Sequence, residues 1–151
     1  MPLAWHWARF GDLTAAELYD ALALRQQVFV VEQNCAYLDV DGIDRHSWHL
    51  FGRDAEGRLQ AYLRLVDPGH KYDEPSIGRV VTSLSARGTG AGRALVAEGL
   101  AGHDRRWPAR ANRIGAQAHL QRFYASFGFE PVGAPYDEDG IPHIEMVRGA
   151  R

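Results

Sequence analysis

The chain has 151 residues, of which 46% are hydrophobic and 24% charged, and this predicts a single domain over residues 1–151 with an ordinary core. Its 17 Lys and Arg residues against 19 Asp and Glu give a net charge of -2, which opposes a nucleic-acid-binding role because no cationic excess would neutralise phosphates. The one cysteine, Cys35, cannot form an internal disulfide, and no apolar segment approaches the ~18 residues of a membrane helix, so we expect a cytoplasmic protein without membrane contact.

Apolar periodicity and turn residues predict the element order β-α-β-β-β-α-β-α-β-β, which is typical of an α/β domain with a mixed sheet. The first helix begins after a predicted capping box formed by Thr14 and Glu17. Four apolar side chains form the predicted inner face of this helix: Leu18, Leu22, Val28 and Phe29. The predicted strands cover residues 4–10, 48–53, 59–66, 77–83, 114–118, 129–132 and 143–147, and the predicted helices cover residues 15–32, 91–103 and 119–127.

A glycine-rich turn, Arg-Gly-Thr-Gly-Ala-Gly-Arg at residues 87–93, lies between the fourth predicted strand and the second predicted helix. Glycines let the backbone approach a ligand closely, and the free N–H groups of a first helical turn favour an anion such as a diphosphate. On the glycines alone, a tight turn without a ligand is an equal alternative. The turn lacks the Gly-Lys of a nucleoside-triphosphate loop, and its GxGxG spacing differs from the GxGxxG of a dinucleotide fold.

The spacing of the turn matches another signature. With Arg87 first, Gly90 fourth and Gly92 sixth, the turn resembles the acetyl-CoA-binding motif of the GNAT superfamily of N-acetyltransferases, which reads Arg or Gln, two residues, Gly, one residue, then Gly or Ala. Residues 117–129 are similar to the strand-helix-strand end of the same superfamily, in which an aromatic-Tyr pair precedes Gly-Phe. Three further stretches resemble the ElaA-like branch of that superfamily: residues 29–35, 115–121 and 139–144.

The resemblance covers nearly the whole chain and implies a GNAT-like single domain. Its mixed, mostly antiparallel central sheet would be flanked by helices and splayed between strands 4 and 5. Acetyl-CoA is the implied co-substrate, with its diphosphate on the glycine-rich turn and its pantetheine amides and thioester on strand 4; no metal is implied. The implied cofactor-binding residues are Val80, Val81, Thr82, Arg87, Gly88, Thr89, Gly90, Ala91, Gly92, Arg93, Gln117 and Tyr124. Gln117 stands where many members of the superfamily carry Asn.

The implied reaction is direct transfer of an acetyl group to a primary amine of a small molecule or a protein. Tyr124 is the predicted general acid, because a phenol of pKa ~10 can return a proton to a thiolate whose thiol has a pKa of ~8.5. Glu32, His119 and His143 are the candidate general bases, and each of them also fits a local hydrogen-bonding or packing role. The alternative function is a non-catalytic acyl-CoA sensor or interaction module, and a dinucleotide-dependent reductase is a weaker third.

The other potentially reactive side chains are explained better by structural or surface roles than by catalysis or metal binding. Cys35 has no visible histidine partner, which favours a small buried residue over a covalent acetyl-enzyme. The acidic residues at positions 39, 41 and 44 lack the spacing of a calcium loop, and His46 with His49 lacks the further ligands of a zinc site. The acidic residues at 39–44 and 137–139 either attract a cationic amine or are ordinary loop charges. The sequence is compatible with a homodimer.

Overall fold

The computed structural model describes residues 2–151, and its element order is the predicted one, which is therefore confirmed. The strands are β1 Ala4–Arg9, β2 Ser47–Arg53, β3 Leu59–Val66, β4 Ser76–Thr82, β5 Asn112–Gln117, β6 Phe129–Glu138 and β7 Ile141–Arg148. The α-helices are α1 Ala15–Arg25, α2 Ala91–Arg106 and α3 Gln121–Ala125, and a π-helical segment, Gln26–Glu32, continues α1. Within residues 2–151, none of the helices has the length and apolar character that a membrane crossing requires.

The strands form two antiparallel sheets that meet at β4 and β5. One sheet has the order β1-β2-β3-β4 and the other β5-β7-β6. At the junction the Arg113 backbone N–H donates to the Pro75 carbonyl at 3.1 Å, and the Ile77 N–H donates to Asn112 Oδ1 at 3.2 Å. Beyond these two bonds β4 and β5 share no ladder in residues 2–151, so the strands diverge and the predicted splay is confirmed.

A buried histidine fixes the junction from the side of α2. The His103 ring is 0% exposed, with Nε2 2.8 Å from the Arg110 carbonyl and Nδ1 3.1 Å from Asn112 Nδ2. Since a carbonyl can only accept, Nε2 carries the proton and Nδ1 accepts from the Asn112 amide. Asn112 therefore joins α2 to the first residues of β4, at the point where the two sheets separate.

Helix α2 packs closely across β3 in the main core. A Cβ atom added at Gly99 would lie 2.7 Å from Leu63 Cδ2, so a larger residue at this position would force the buried Leu63 side chain to shift. The core includes Leu95 and Val96 of α2 together with Leu50 of β2, all fully buried. This packing fixes α2, and with it the glycine-rich turn that precedes the helix, against the first sheet.

One predicted helix differs in its geometry and one predicted strand differs in its length, each for an identifiable reason. The capping box is present, with the Glu17 N–H donating to Thr14 Oγ1 at 3.0 Å, but the helix changes to π geometry at Gln26 and buries Arg25 where the prediction gave a purely apolar face. The strand predicted over residues 129–132 continues to Glu138 as β6. Pro131 and Pro135 are tolerated because β6 is an edge strand with a register shift between Val132 and Tyr136.

Candidate active site

The divergence of the two sheets opens a cavity of about 440 Å³. Residues 76–82 form one wall and residues 114–117 form the other. The rest of the lining comes from the π-helical segment and the loop that follows it, Lys71, Arg87, the 3-10 turn Ala118–Leu120, Tyr124 of α3 and the β6–β7 hairpin. The cavity thus exists because β4 and β5 are held together at one end only.

Most of the residues predicted for the site line this one cavity, although they come from six separate segments of the chain. The lining includes Glu32, Val80, Val81, Thr82, Arg87, Gln117, His119, Tyr124 and His143. The remaining predicted residues, 88–93, follow Arg87 and lie outside the lining. The chemical roles assigned to all of these residues stay predictions.

A bulge in β4 shapes the first wall. Residues Tyr62 and Arg64 of β3 pair with Val81 and Gly78, so that two residues of β4, 79 and 80, stand opposite the single residue 63. Arg79 has a φ of 50°, in the left-handed region that favours glycine. The edge of β4 that faces the cavity has no strand partner in residues 2–151 after the Ile77 bond, so its backbone groups are available to a ligand.

The glycine-rich turn presents free backbone donors. Gly88 and Gly90 have φ values of 75° and 85°, and Gly90 caps α2 without a side-chain hydrogen bond. In residues 2–151, no acceptor contacts the N–H groups of 88 or of 90–93, and an added Cβ at Gly92 would meet nothing within 4 Å. The turn is therefore open and carries the positive end of a 16-residue helix, which suits an anionic group.

The two arginines of the turn are already engaged. The Arg87 guanidinium contacts the Glu32 carboxylate at 2.7 and 2.9 Å. Arg93 donates to Ser126 Oγ at 3.0 Å and lies over the Phe127 ring, 5.0 Å from its centroid, which fixes it against the end of α3. Thr89 uses its hydroxyl to bond the Ala86 carbonyl.

Tyr124 lies on the cavity wall with an unused hydroxyl. The residue is buried, and its ring packs edge-on against Phe123 and Phe129 at centroid distances of 5.2 and 5.9 Å. Burial raises the pKa of the Tyr124 phenol above its ordinary value. The hydroxyl makes no hydrogen bond to any residue from 2 to 151, so a protonated donor is available to a ligand.

His143 and His119 differ in their surroundings. His143 is buried, with Nδ1 2.7 Å from the Ile141 carbonyl and Nε2 3.4 Å from Glu138 Oε2. The carbonyl accepts from Nδ1, so a neutral His143 presents an unprotonated Nε2. His119 lies on the 3-10 turn Ala118–Leu120, is exposed, and makes no hydrogen bond to residues 2–151.

Gln117, a predicted cofactor-binding residue, uses its side-chain amide to donate to Gln33 Oε1 at 3.3 Å, so it contacts the loop after the π-helical segment.

The cavity lining also includes Cys35, Tyr37, Lys71 and Arg79, which sequence reasoning did not place there, and Glu138 and Asp139, which it placed at the acceptor side in one of two alternatives. Cys35 donates its thiol to the Asp139 carbonyl at 3.4 Å, which joins the loop after the π-helical segment to the β6–β7 hairpin. Cys35, Tyr37 and Lys71 come from irregular segments, so no periodic pattern in the sequence could have placed them at the cavity.

The acidic residues at positions 39, 41 and 44 are paired with arginines rather than directed at the cavity. The interpretation that they attract a cationic amine is therefore not supported by their contacts. Asp137 accepts from the Gly140 N–H at 3.2 Å and so has a turn-forming role. Within residues 2–151, no group of three or more His, Cys, Asp or Glu side chains converges to hold a metal ion.

Comparisons with known proteins agree on the fold. A family model for the acetyltransferase (GNAT) domain matches residues 27–149. The chain is 53% identical over 147 residues to a UPF0039 protein of Synechocystis sp., with 97% of this chain and 96% of that protein covered. The crystal structure of an acyl-CoA N-acyltransferase from Pseudomonas aeruginosa superposes with a TM-score of 0.92 at 46% identity, over 97% of this chain and 99% of that chain. The crystal structure of Escherichia coli ElaA gives 0.90 at 42% identity, with coverage of 97% and 99%.

Proposed function

Because the chain belongs to the GNAT acetyltransferase family, with ElaA among its relatives, we propose that it transfers an acetyl group from acetyl-CoA to a primary amine. The observation that carries this proposal is the cavity between β4 and β5, which is lined both by the unpaired β4 edge and by Tyr124, whose hydroxyl makes no hydrogen bond to residues 2–151. The acceptor is the amine of a small molecule or of a protein.

The residues present fit acetyl-CoA at both of its polar regions. The free N–H groups of 88 and 90–93, with the dipole of α2, would hold the diphosphate. The unpaired edge of β4 at Val80, Val81 and Thr82 would hold the pantetheine amides and polarise the thioester carbonyl. When bound, acetyl-CoA supplies an activated acyl carbonyl whose C–S bond breaks as a C–N bond to the amine forms.

Two proton transfers accompany that exchange. Tyr124 donates its phenolic proton to the departing thiolate, a role that suits a buried tyrosine with no competing hydrogen bond among residues 2–151. A base accepts the proton that the amine loses. The bond from His143 Nδ1 to the Ile141 carbonyl supports His143 for this role, because it leaves Nε2 as the nitrogen that accepts a proton, with the Glu138 carboxylate 3.4 Å away to stabilise the resulting imidazolium. Glu32, engaged by Arg87, and the exposed His119 are the alternatives.

The test combines calorimetry with turnover. We expect acetyl-CoA to bind the full chain, and CoA to be released at a rate that depends on added amine in a panel of small primary amines and lysine-containing peptides. Binding without CoA release on any amine would favour the sensor alternative and contradict the transferase. Absence of binding would contradict both functions.

A further inference from the structure

Six charged side chains form a closed ring in which arginine and aspartate alternate. Each arginine contacts two aspartates, and each aspartate contacts two arginines. In order, the shortest nitrogen–oxygen distances are 2.9 Å for Arg25–Asp39, 2.7 Å for Arg25–Asp44, 3.0 Å for Arg64–Asp44, 2.7 Å for Arg64–Asp41, 3.2 Å for Arg79–Asp41 and 2.8 Å for Arg79–Asp39. We call these six residues the charge ring.

The charge ring joins four parts of the fold. Arg25 is at the end of α1, Arg64 is in β3 and Arg79 is in β4, while all three aspartates belong to the segment 39–44 between the π-helical segment and β2. The side chains of Arg25 and Arg64 are each 1% exposed. Three positive and three negative charges balance, which is the condition under which buried charges are tolerated. The ring therefore holds an irregular segment in one position against two strands.

The position of Arg79 in the ring explains its backbone. A bulge residue with φ near 50° is the place where a G1-type bulge ordinarily carries glycine. An arginine in this left-handed backbone conformation costs conformational free energy that a glycine would not. The guanidinium supplies the compensation, because it donates to the Asp39 carbonyl at 3.0 Å and to the Asp41 carboxylate at 3.2 Å, forms an ion pair with the Asp39 carboxylate at 2.8 Å, and lies over the Tyr37 ring.

We propose that Arg79 is a positioning residue: through the charge ring it sets the β4 bulge so that the backbone of Val80 and Val81 meets the pantetheine arm and thioester of acetyl-CoA. This inference rests on the proposed function. Val80 and Val81 line the cavity immediately after the bulge residue, so a change in the bulge changes where their N–H and carbonyl groups lie. The same guanidinium lies over the ring of Tyr37, which also lines the cavity.

Two substitutions open the ring at its more exposed links. Arg79→Gly removes the whole side chain, guanidinium included, at a position whose φ glycine adopts freely, so the variant loses the ring contacts without adding backbone strain. Asp41→Asn weakens the link between Arg64 and Arg79, and its side chain is 24% exposed. Arg9→Lys is the control. Arg9, in β1, forms an ion pair with Asp67 at 2.7 Å, and neither residue lines the cavity, so this variant should bind both ligands as the unmodified protein does.

Each variant is titrated by calorimetry with acetyl-CoA and with 3′-phospho-ADP, the part of CoA that lacks the pantetheine arm. We expect Arg79→Gly and Asp41→Asn to weaken acetyl-CoA binding about tenfold, as for a misplaced binding group, while 3′-phospho-ADP affinity stays that of the unmodified protein. A double variant should lose no more than the stronger single variant, because both changes open the same ring.

The outcomes separate the two proposals. Loss of affinity for acetyl-CoA alone supports the positioning role, because a general loss of stability would weaken both ligands. Unchanged acetyl-CoA affinity in Arg79→Gly, or an equal loss for both ligands, overturns the role. Failure of the unmodified protein to bind acetyl-CoA is a different result, which overturns the proposed function itself.

Discussion

Glu32 and Arg87, which both line the cavity, form a bidentate ion pair with nitrogen–oxygen distances of 2.7 and 2.9 Å. The pair links the last residue of the π-helical segment to the first residue of the glycine-rich turn. The sequence gives these two residues separate roles, as a candidate base and as a diphosphate ligand, whereas the fold makes each the partner of the other. A diphosphate on the turn would compete with Glu32 for the Arg87 guanidinium.

This competition predicts the effect of Glu32→Gln. Removing the carboxylate releases Arg87 for the diphosphate, so acetyl-CoA should bind up to about fivefold more tightly, the range expected for a partly exposed ion pair. Arg87→Gln is the matched variant and should weaken binding. Calorimetry at two salt concentrations measures both effects, and weaker binding by Glu32→Gln would show that Arg87 does not contact the ligand.

Replacing the proposed general acid should affect turnover rather than binding. Tyr124→Phe keeps the packing of the ring against Phe123 and Phe129 and removes only the hydroxyl. We expect kcat to fall about 100-fold, within the usual range for general acid catalysis, with little change in acetyl-CoA affinity. Tyr19→Phe, at a side chain that is 75% exposed, is the control. An unchanged kcat with an accepted amine would remove Tyr124 from this role.

The assignment of the base can be tested by three parallel variants. If His143 accepts the amine proton, His143→Gln should lower kcat about 100-fold, whereas His119→Gln and Glu32→Gln should have much smaller effects on kcat. His6→Gln, at an exposed histidine in β1 that pairs with Glu17, controls for the loss of an imidazole. A larger loss in either of the other two variants would transfer the role to that residue.

The fold was predictable to the extent that its signals are local. The capping box at Thr14 and the turn signals between strands depend on neighbouring residues, and the order of elements follows from them. The inner face of the first helix was not predictable, because Arg25 is buried only through aspartates 14 and 19 positions further along the chain. An arginine inside an apolar stripe gives no indication of whether such partners exist.

The site, too, was predictable only where its residues are neighbours in the sequence. The glycine-rich turn and the segment around Tyr124 could be identified because each motif is contiguous, and the family match confirms the resemblance that they carry. The contribution of residues 33–46 could not be identified, because Cys35 and Tyr37 reach the cavity on an irregular segment whose position is set by the charge ring. Contacts of this kind depend on long-range pairing rather than on sequence spacing.

Two of the buried histidines, His49 and His103, lead us to expect that the protein loses stability in mild acid. Burial lowers the pKa of His103 and of His49 below their ordinary value of 6.5, and both rings are hydrogen-bonded in neutral form, His49 between the Tyr62 hydroxyl and the Asp44 carbonyl. Below pH 6.5 these two histidines therefore become protonated in the unfolded chain while they stay neutral in the folded chain. The free energy of unfolding falls as the pH decreases through that value.

Urea unfolding between pH 8 and pH 5 measures this effect. His103→Gln should lower the free energy of unfolding at pH 8 by about 1–3 kcal/mol, because the Arg110 carbonyl and the Asn112 amide lose well-placed partners. The same variant should show a smaller loss of stability between pH 7 and pH 5, since only His49 then remains of the two histidines whose pKa is lowered by burial. His70→Gln, at an exposed ring that stacks on His46, is the control and should keep the full pH dependence. A pH dependence in His103→Gln as steep as in the unmodified protein would show that the His103 ring does not exclude the proton when folded.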